Sequence, residues 1–577
     1  MRAAPHTHEA YMTRRVVDAL LRENVRGCLN ASRVTDGRDL PFAQDISPEL
    51  QDGKWLTVPH WTGGTLYFAV RRAQYLQDWV LRALPVIWCQ AGQPRELHGA
   101  LDILAAFRAG LPAQEALDFA AFDEEYRTAV TQRWLVEDEH ASLLSTPPQI
   151  PTDWGERTLH LDRLGAFLDH PVYPTARAKT GFGAADLRAY APEFAPVFEL
   201  RWLTVPRARV QETGETRPLG WPDFAQVGLP AELAHSHVLL PVHPFMWGGR
   251  LELLLKESAL DAEVVAAPRA HLKVSPTLSV RTVALVDEPH WHLKLPLDIS
   301  TLGLRNRRFV HPGTLGDGAR MQGVLGEILR QEGLEHTVLL TDETASGHAG
   351  ERFLAYLLRR YPQATQEGTL VTVASLLAPA PGGGTVLDGL LREHYQGDFG
   401  AFWAEYADLT LRLHLTLWLR YGVALESNQQ NTALVLTSGG LRLLLKDNDS
   451  PRVLAERLAG ILPEAAAALA GLDDQRIFVD GPEPLAQMFT TITLHLNLAA
   501  LVHGLGRPDL YRDLRRRIEH LIDELKLERA EVEEHVLDAP RLPVKYMLSA
   551  GSLLSKARSG AADVNKYYGL SGPNYLR

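Results

Sequence analysis

Between Tyr421 and Pro451 the chain reads YGVALESNQQNTALVLTSGGLRLLLKDNDSP, and its polar residues gather at two points. Glu426, Asn428, Gln429, Gln430 and Asn431 precede one apolar run, and Asp447, Asn448 and Asp449 follow the next. Carboxylate and amide oxygens converging on one point are the ligands that Mg²⁺ takes, and protein-bound Mg²⁺ is usually shared with nucleotide phosphates. A second group is cationic. Ser279, Arg281 and Val283 share one face at the two-residue period of a strand, Lys294 lies within Leu293-Lys294-Leu295, and Thr301 and Arg305 follow. A charge inside an apolar strand needs a partner. Arginine suits a carboxylate or phosphate, each charged hydrogen bond contributing roughly 1.5 to 3 kcal/mol, so the group reads as an anion cradle. The plainer readings are a hairpin with wet polar ends, since Asp-Asn-Asp before Ser-Pro is also turn chemistry, and a solvated strand face.

These groups need elements to hold them. Residues 432–437 and 441–446 read as two strands joined by Ser438-Gly439-Gly440, and equal arms predict Asn431 opposite Asp447, roughly 4.5 to 5.5 Å apart. A helix over 398–421, ended by Gly422, delivers the chain into that hairpin. Strands over 279–286 and 290–297 set Arg281 near Lys294 to within about a residue. Residues 201–205 and 237–242 are further strands, and 316–368 reads as mixed helix and loop. Before residue 159 the spacing predicts helices over 10–29, 66–83, 96–109 and 113–131, closed by the break Thr146-Pro147-Pro148. A helix over 159–168 leads into a loop that Pro171 and Pro174 hold out of regular structure while presenting His170. Residues 378–384 read as a linker or exposed loop, the region after 453 as helical, and Lys545 is placed to close over a site.

Composition narrows the class. At 577 residues the chain exceeds a single core, so roughly two to four packed units are expected. A net charge of -11, with 70 acidic against 59 basic residues, argues against nucleic acid as a partner. Two cysteines without CxxC spacing suggest neither zinc nor a disulfide framework and fit a reducing cytoplasm. The N-terminus lacks a secretory h-region, and the apolar run 409–419 contains Arg412 and His414 and is too short to span a bilayer, so a soluble protein with no membrane partner is expected. No motif encodes oligomeric state; a homodimer is the default.

From about residue 159 to 545 the sequence resembles the IucA/IucC family, the NRPS-independent siderophore synthetases. His170-Pro171-Val172-Tyr173-Pro174 through Gly181 is similar to its GHPxHPxxKxRxG element, with Tyr190 to Phe194 following, and Leu240 to Pro244 is similar to its PvHP segment. Ser279-Val280-Arg281-Thr282 matches S-x-R-T, and Lys294-Leu295-Pro296-Leu297 with Thr301 and Arg305 resembles KLxL...T...R. Residues 421–431 resemble YGIALExHxQN, with Asp447 and Asp449 in the place of its paired acidic residues. The resemblance implies an α+β, cupped-hand architecture: a mainly helical thumb over 1–158, sheet-rich fingers over 159–384, and a helical palm over 385–577 carrying a kinase-like β-hairpin. It implies ATP and Mg²⁺ as cofactors and condensation of a carboxylic acid, with citrate or a derivative favoured, with a polyamine, amino acid or amino-alcohol nucleophile through an acyl-adenylate.

Carried over by motif, Ser279, Arg281, Thr282 and Lys294 would contact ATP phosphates, and Glu426, Asn431, Asp447 and Asp449 would hold Mg²⁺ or orient the nucleotide. His170, Thr301, Arg305, Asn428 and Lys545 would line the acid pocket, with His170, Arg281, Lys294 and Arg305 in catalytic roles. The chain departs from the pattern at Asp169, Tyr173, Arg177 and Lys179, and Asn428 replaces the usual histidine. An imidazole can carry charge and an amide cannot, so Asn428 is expected to bear on which acid is taken. Two other functions share the same features: a kinase-like phosphotransferase, although the kinase Gly-rich loop and HRD motif are absent, and a catalytically inactive nucleotide-binding or scaffold protein.

Overall fold

Thr282–Leu285 and Trp291–Lys294 are buried along their whole length, which requires sheet neighbours on both sides and cover on both faces. The computed structural model, which describes residues 5–145, 150–559 and 567–577, places them at the centre of a nine-stranded antiparallel sheet. Its order is Val265–Ala266, Phe198–Pro206, His271–Pro276, Thr282–Leu285, Trp291–Lys294, Ala355–Arg360, Asp342–His348 and Gln211–Thr213, with His237–Val242 beside Phe198–Pro206. A four-stranded sheet carries the second hairpin in the order Val338–Leu340, Gly440–Leu445, Thr432–Thr437, Thr369–Thr372, its first pairing parallel. The two sheets share a continuous stretch of chain. Val338–Leu340 runs through Thr341, whose N–H donates to the Leu445 carbonyl at 3.1 Å, into Asp342–His348 of the large sheet.

The N-terminal region differs from its sequence reading. Helices Pro5–Arg22, Ala100–Arg108 and Ala113–Ser145 form as expected, but 66–83 is not a helix. Thr65–Arg72 and Trp79–Leu81 are strands of a six-stranded sheet that also contains Arg33–Asp36, Lys54–Pro59, Val86–Gln90 and Gln93–Leu97. The reason is burial on both faces. Leu66, Phe68 and Val70 join one core while Tyr67 and Ala69 join another around Trp55, so the run is apolar throughout and imitates helical spacing. The proline break at 146–148 lies outside the described residues. Past the helix Pro312–Gln331, the expected loop is instead the three strands Val338–Leu340, Asp342–His348 and Ala355–Arg360. Residues 378–384 fold into a tight turn, with Ala380 N–H donating to the Gly384 carbonyl at 3.0 Å and Ala378 fully buried.

The C-terminal half is helical, as its spacing implies. Asp398 caps the helix Phe399–Leu415 by accepting the Ala401 N–H at 3.0 Å. That helix widens into a π turn, Thr416–Arg420, and Gly422 at φ 66° ends it. The helix spanning Glu483–Gly504 is long and apolar enough to cross a membrane, but 94% of its apolar window is buried inside the protein, which is how a core helix behaves. The fold class is α+β.

Candidate functional site

A cleft of about 1250 Å³ opens where both hairpins, the loop after the helix Trp154–Ala166 and the segment around Lys545 meet. It is lined by Ser279, Arg281, Lys294, Thr301 and Arg305, by Glu426, Asn428, Asn431, Asp447 and Asp449, and by His170 and Lys545. Of the residues singled out from sequence only Thr282 is absent. It is buried, its carbonyl accepts from Thr277 Oγ1 at 2.8 Å, and its hydroxyl lies 3.2 Å from Ser279 Oγ, so it shapes the Ser279 turn and has no face toward the cleft.

The hairpin of Thr432–Thr437 is shifted by one residue from its counted register, while the Arg281–Lys294 hairpin lies within the one residue expected of it. Thr437 pairs with Gly440 and Thr432 with Leu445, so the turn is the two residues Ser438 and Gly439, and Gly440, at φ 115°, begins the strand. The partner of Asn431 is therefore Lys446, whose N–H donates to the Asn431 carbonyl at 3.2 Å. In the other hairpin Thr282 faces Lys294, and Arg281 accepts the Leu295 N–H at 2.9 Å. A run of two glycines leaves the turn length open in sequence, and one residue is enough to move every partner.

The shift matters for Asp447. It adopts the left-handed region, φ 57°, which Asp tolerates better than most residues, and it re-aims the side chain across the site. The Lys294 ammonium donates to Asp447 Oδ1 at 2.6 Å, and Arg359 Nη2 lies 2.8 Å from the same oxygen. Glu343 Oε1 completes the knot, accepting from Arg359 Nε at 2.6 Å, Thr341 Oγ1 at 2.9 Å and the Asp447 N–H at 3.1 Å. Burial pushes the Asp447 carboxyl upward, but Arg359 and then Lys294 outweigh it and hold it well below the usual carboxylate range. Glu343 and Arg359 were not singled out from sequence; the available signal was an arginine within the apolar strand Ala355–Arg360. Lys446 is likewise buried, with Asp162 as its leading charge partner, and Asp162 accepts from Leu278 N–H at 3.2 Å and Thr372 Oγ1 at 3.3 Å.

His170 is held by its own loop. Its Nδ1 accepts the N–H groups of Val172 at 3.2 Å and Tyr173 at 3.1 Å, and Arg15 donates to the carbonyls of His170 at 2.7 Å and Tyr173 at 2.6 Å. Burial, reinforced by Arg15, Arg22 and Lys545, pulls this imidazole down to about 3. It is neutral at physiological pH with its proton on Nε2, a hydrogen-bond donor for an acid and not a cation. Asn428 behaves in the same way. Its Oδ1 accepts the N–H groups of Gln430 at 2.9 Å and Asn431 at 3.2 Å, as His170 Nδ1 does in its loop. An imidazole held by those two N–H groups would also be neutral, so the amide alters donor number and shape at this point, not charge.

Arg305 donates to the Ser552 carbonyl at 2.8 Å and pairs with Asp118 of the N-terminal region at 3.0 Å. Its loop is pressed against the chain near Ser552. A Cβ at Gly303, where φ is 119°, would sit 2.8 Å from Gly551 Cα. Gly303→Ala is expected to displace the Thr301 to Arg305 turn and raise the Michaelis constant for the acid, checked by steady-state kinetics beside thermal unfolding.

Among the described residues no three His, Cys, Asp or Glu side chains converge as a ligand group, and Glu426 pairs with Lys545 at 3.3 Å. Asp447 and Asp449 pair in turn with Lys294 at 2.6 and 3.5 Å, and the amide oxygen of Asn431 is buried with no hydrogen-bond partner among the described residues. Asn431 Nδ2 donates to the Glu426 carbonyl at 3.0 Å, which fixes which end of the amide faces away from it. Two carboxylates and an orphaned amide oxygen fit Mg²⁺ shared with phosphates, which takes only one or two carboxylates from protein.

Cations and oxygen donors line one cleft, built on an α+β fold. Residues 158–378 match the family model described as IucA / IucC family, and residues 400–558 match one described as ferric iron reductase FhuF-like transporter. The chain is 28% identical over 340 residues to uncharacterized protein y4xN of Sinorhizobium fredii, covering 53% of each, so it spans about half the length of that relative. It is 21% identical over 535 residues to staphyloferrin B synthase of Staphylococcus aureus, covering 87% of this chain and 85% of that one. Its fold matches ATP-bound aerobactin synthetase IucA from a hypervirulent Klebsiella pneumoniae with a TM-score of 0.69 at 18% identity, over 98% of this chain and 99% of the other. Residues 158–378 thus resemble the IucA/IucC family, and the named relatives of the chain include siderophore synthetases.

Proposed function

We propose that the protein is an ATP-dependent ligase of siderophore assembly that joins a carboxylic acid, citrate or a citrate derivative, to an amine or alcohol through an acyl-adenylate. The observation that carries this reading is the shared cleft: Arg281, Lys294 and Arg305 face the oxygens of Asn431, Asp447 and Asp449 in one space. A carboxylate is a poor electrophile at neutral pH, and a site that neutralises both it and a triphosphate makes it reactive.

In the first step a carboxylate oxygen of the acid attacks the α-phosphorus of ATP and pyrophosphate leaves. Arg305 and the Nε2–H of His170 hold the acid, while Lys294 and Arg281 take up charge on the phosphates. Mg²⁺, when held by Asp447, Asp449 and Asn431, supplies further neutralisation of the phosphates. In the second step the nucleophile's nitrogen or oxygen attacks the acyl carbon, AMP leaves, and a proton is released from the nucleophile. Lys545, paired with Glu426, sits on the strand Arg541–Lys545 at the cleft's edge, where the pair limits access of water.

The test is acid-dependent release of AMP and pyrophosphate, with hydroxylamine converting the adenylate to a hydroxamate. Release of ADP and phosphate would replace this reading with a phosphotransferase. Arg305→Ala is expected to raise the Michaelis constant for the acid by about 10- to 100-fold, the value of one or two charged hydrogen bonds, with a smaller change for ATP. The reverse ranking would remove Arg305 from the acid pocket.

A further inference from the structure

Among the described residues, one cation of the cleft makes neither a side-chain hydrogen bond nor an ion pair. Lys294 pairs with Asp447 at 2.6 Å, Arg305 with Asp118 at 3.0 Å and Lys545 with Glu426 at 3.3 Å. Arg308 also lines the cleft, and among the described residues its side chain makes no hydrogen bond or ion pair. Its backbone is fixed on both sides, donating to the Ile299 carbonyl at 2.9 Å and accepting the Leu297 N–H at 3.0 Å, so its guanidinium leaves from a rigid point.

The neighbouring residue ties it to Arg281. Arg281 Nη1 donates to the Phe309 carbonyl at 2.5 Å, and its Nε is buried without an acceptor. The anion that acts on Arg308 is Asp447, which already serves Lys294 and Arg359. Burial and the nearby Arg281 pull the Arg308 guanidinium down to about 9, so it stays charged at neutral pH under a strain that an incoming anion relieves. Arg281 and Arg308 repel one another, and Asp447, the anion that acts on both, is already engaged by Lys294 and Arg359.

We propose that Arg281 and Arg308 form a two-arginine fork that binds a diphosphate, the two outer phosphates of the nucleotide and the pyrophosphate it releases. Planar guanidinium groups match phosphate oxygens two at a time, and two of them in succession match two linked phosphates better than one carboxylate. The fork acts beside Asp447, the carboxylate expected to share a cation with those phosphates, which favours phosphate over the acid substrate. The identity of the released diphosphate rests on the ligase reading; the binding site does not.

The experiment is calorimetric titration of the intact protein with inorganic pyrophosphate and Mg²⁺, which needs no turnover. Arg308→Ala and Arg308→Gln are each expected to weaken pyrophosphate binding at least about tenfold, with Arg308→Lys intermediate because it keeps the charge and loses the fork. In turnover assays the same variants should raise the Michaelis constant for ATP more than that for the acid. Undiminished pyrophosphate affinity in a folded Arg308→Gln protein, or a loss confined to the acid, overturns the proposal. Pyrophosphate binding that depends on Arg308 in an enzyme that releases ADP would leave the fork standing and remove the ligase reading.

Discussion

Asp447→Ala is expected to lower acid-dependent turnover by about 10²- to 10³-fold and to reduce stability by about 3 to 5 kcal/mol. The two effects have one origin. Asp447 Oδ1 is shared by Lys294 and Arg359, and both cations are buried at the junction of the nine-stranded and four-stranded sheets. Removing the carboxylate leaves Lys294 with Asp449 at 3.5 Å and Arg359 with Glu343 alone, so two buried cations are under-compensated, and the penalty is that of a broken buried network, larger than the net value of the pair. Alanine also fits the left-handed backbone at this position poorly. Asp447→Asn separates the contributions, because asparagine tolerates that backbone and keeps the shape. It should recover part of the stability and little of the turnover. Denaturant unfolding and pyrophosphate release read the two quantities, and near-normal turnover in either variant would take Asp447 out of the reacting centre.

Acid should unfold the protein well above the pH at which ordinary carboxylates titrate. Burial, the leading cause in each case, pulls His170, His243 and His495 down to about 3 and His414 to about 4. The unfolded chain regains the ordinary value near 6.5, so between these limits the unfolded state binds more protons and stability falls as pH falls. Stability from these groups is complete above about pH 6.5 and shrinks by about 2 kcal/mol per histidine between pH 7 and 5. Asp18, raised to about 6 by burial, binds its proton in the folded state and returns about 1 kcal/mol over that interval. Glu23 and Glu125, also raised by burial, act in the same sense as Asp18. Four histidines against these still remove several kcal/mol from a total that is typically about 5 to 15.

His414 offers the cleanest check. It lies within the helix Phe399–Leu415, and its Nε2 is buried without a hydrogen-bond partner. His414→Leu should remove about one proton from the pH dependence and be about 2 kcal/mol more stable than wild type at pH 5 relative to pH 7. Urea unfolding at pH 7, 6 and 5 measures this directly. Identical slopes for the two proteins would show that His414 is not held neutral by the fold.

What the sequence determined by itself was whatever depends on near neighbours in the chain. The glycines of the 438–440 turn, Gly422 at the end of its helix and the order of the family motifs are local signals, and each was legible, whereas 279–281 is a turn with Val280 at φ 65° and not the strand its two-residue period suggested, the strand beginning only at Thr282. Also legible were the residues assigned by motif that line the cleft, Thr282 excepted. What tertiary structure decided was pairing. It moved the 432–445 hairpin by one residue, because turn length at Gly439-Gly440 depends on which arm the sheet recruits, and so gave Asn431 the partner Lys446 and sent Asp447 to Lys294 and Arg359. It made strands of 66–83, because only the covering of both faces distinguishes an all-apolar strand from a helix. It left the Arg308 side chain without a hydrogen bond or ion pair among the described residues while Lys294, Arg305 and Lys545 found carboxylates, a difference that charge spacing along a chain cannot contain, since a partner such as Asp118 for Arg305 lies 187 residues away.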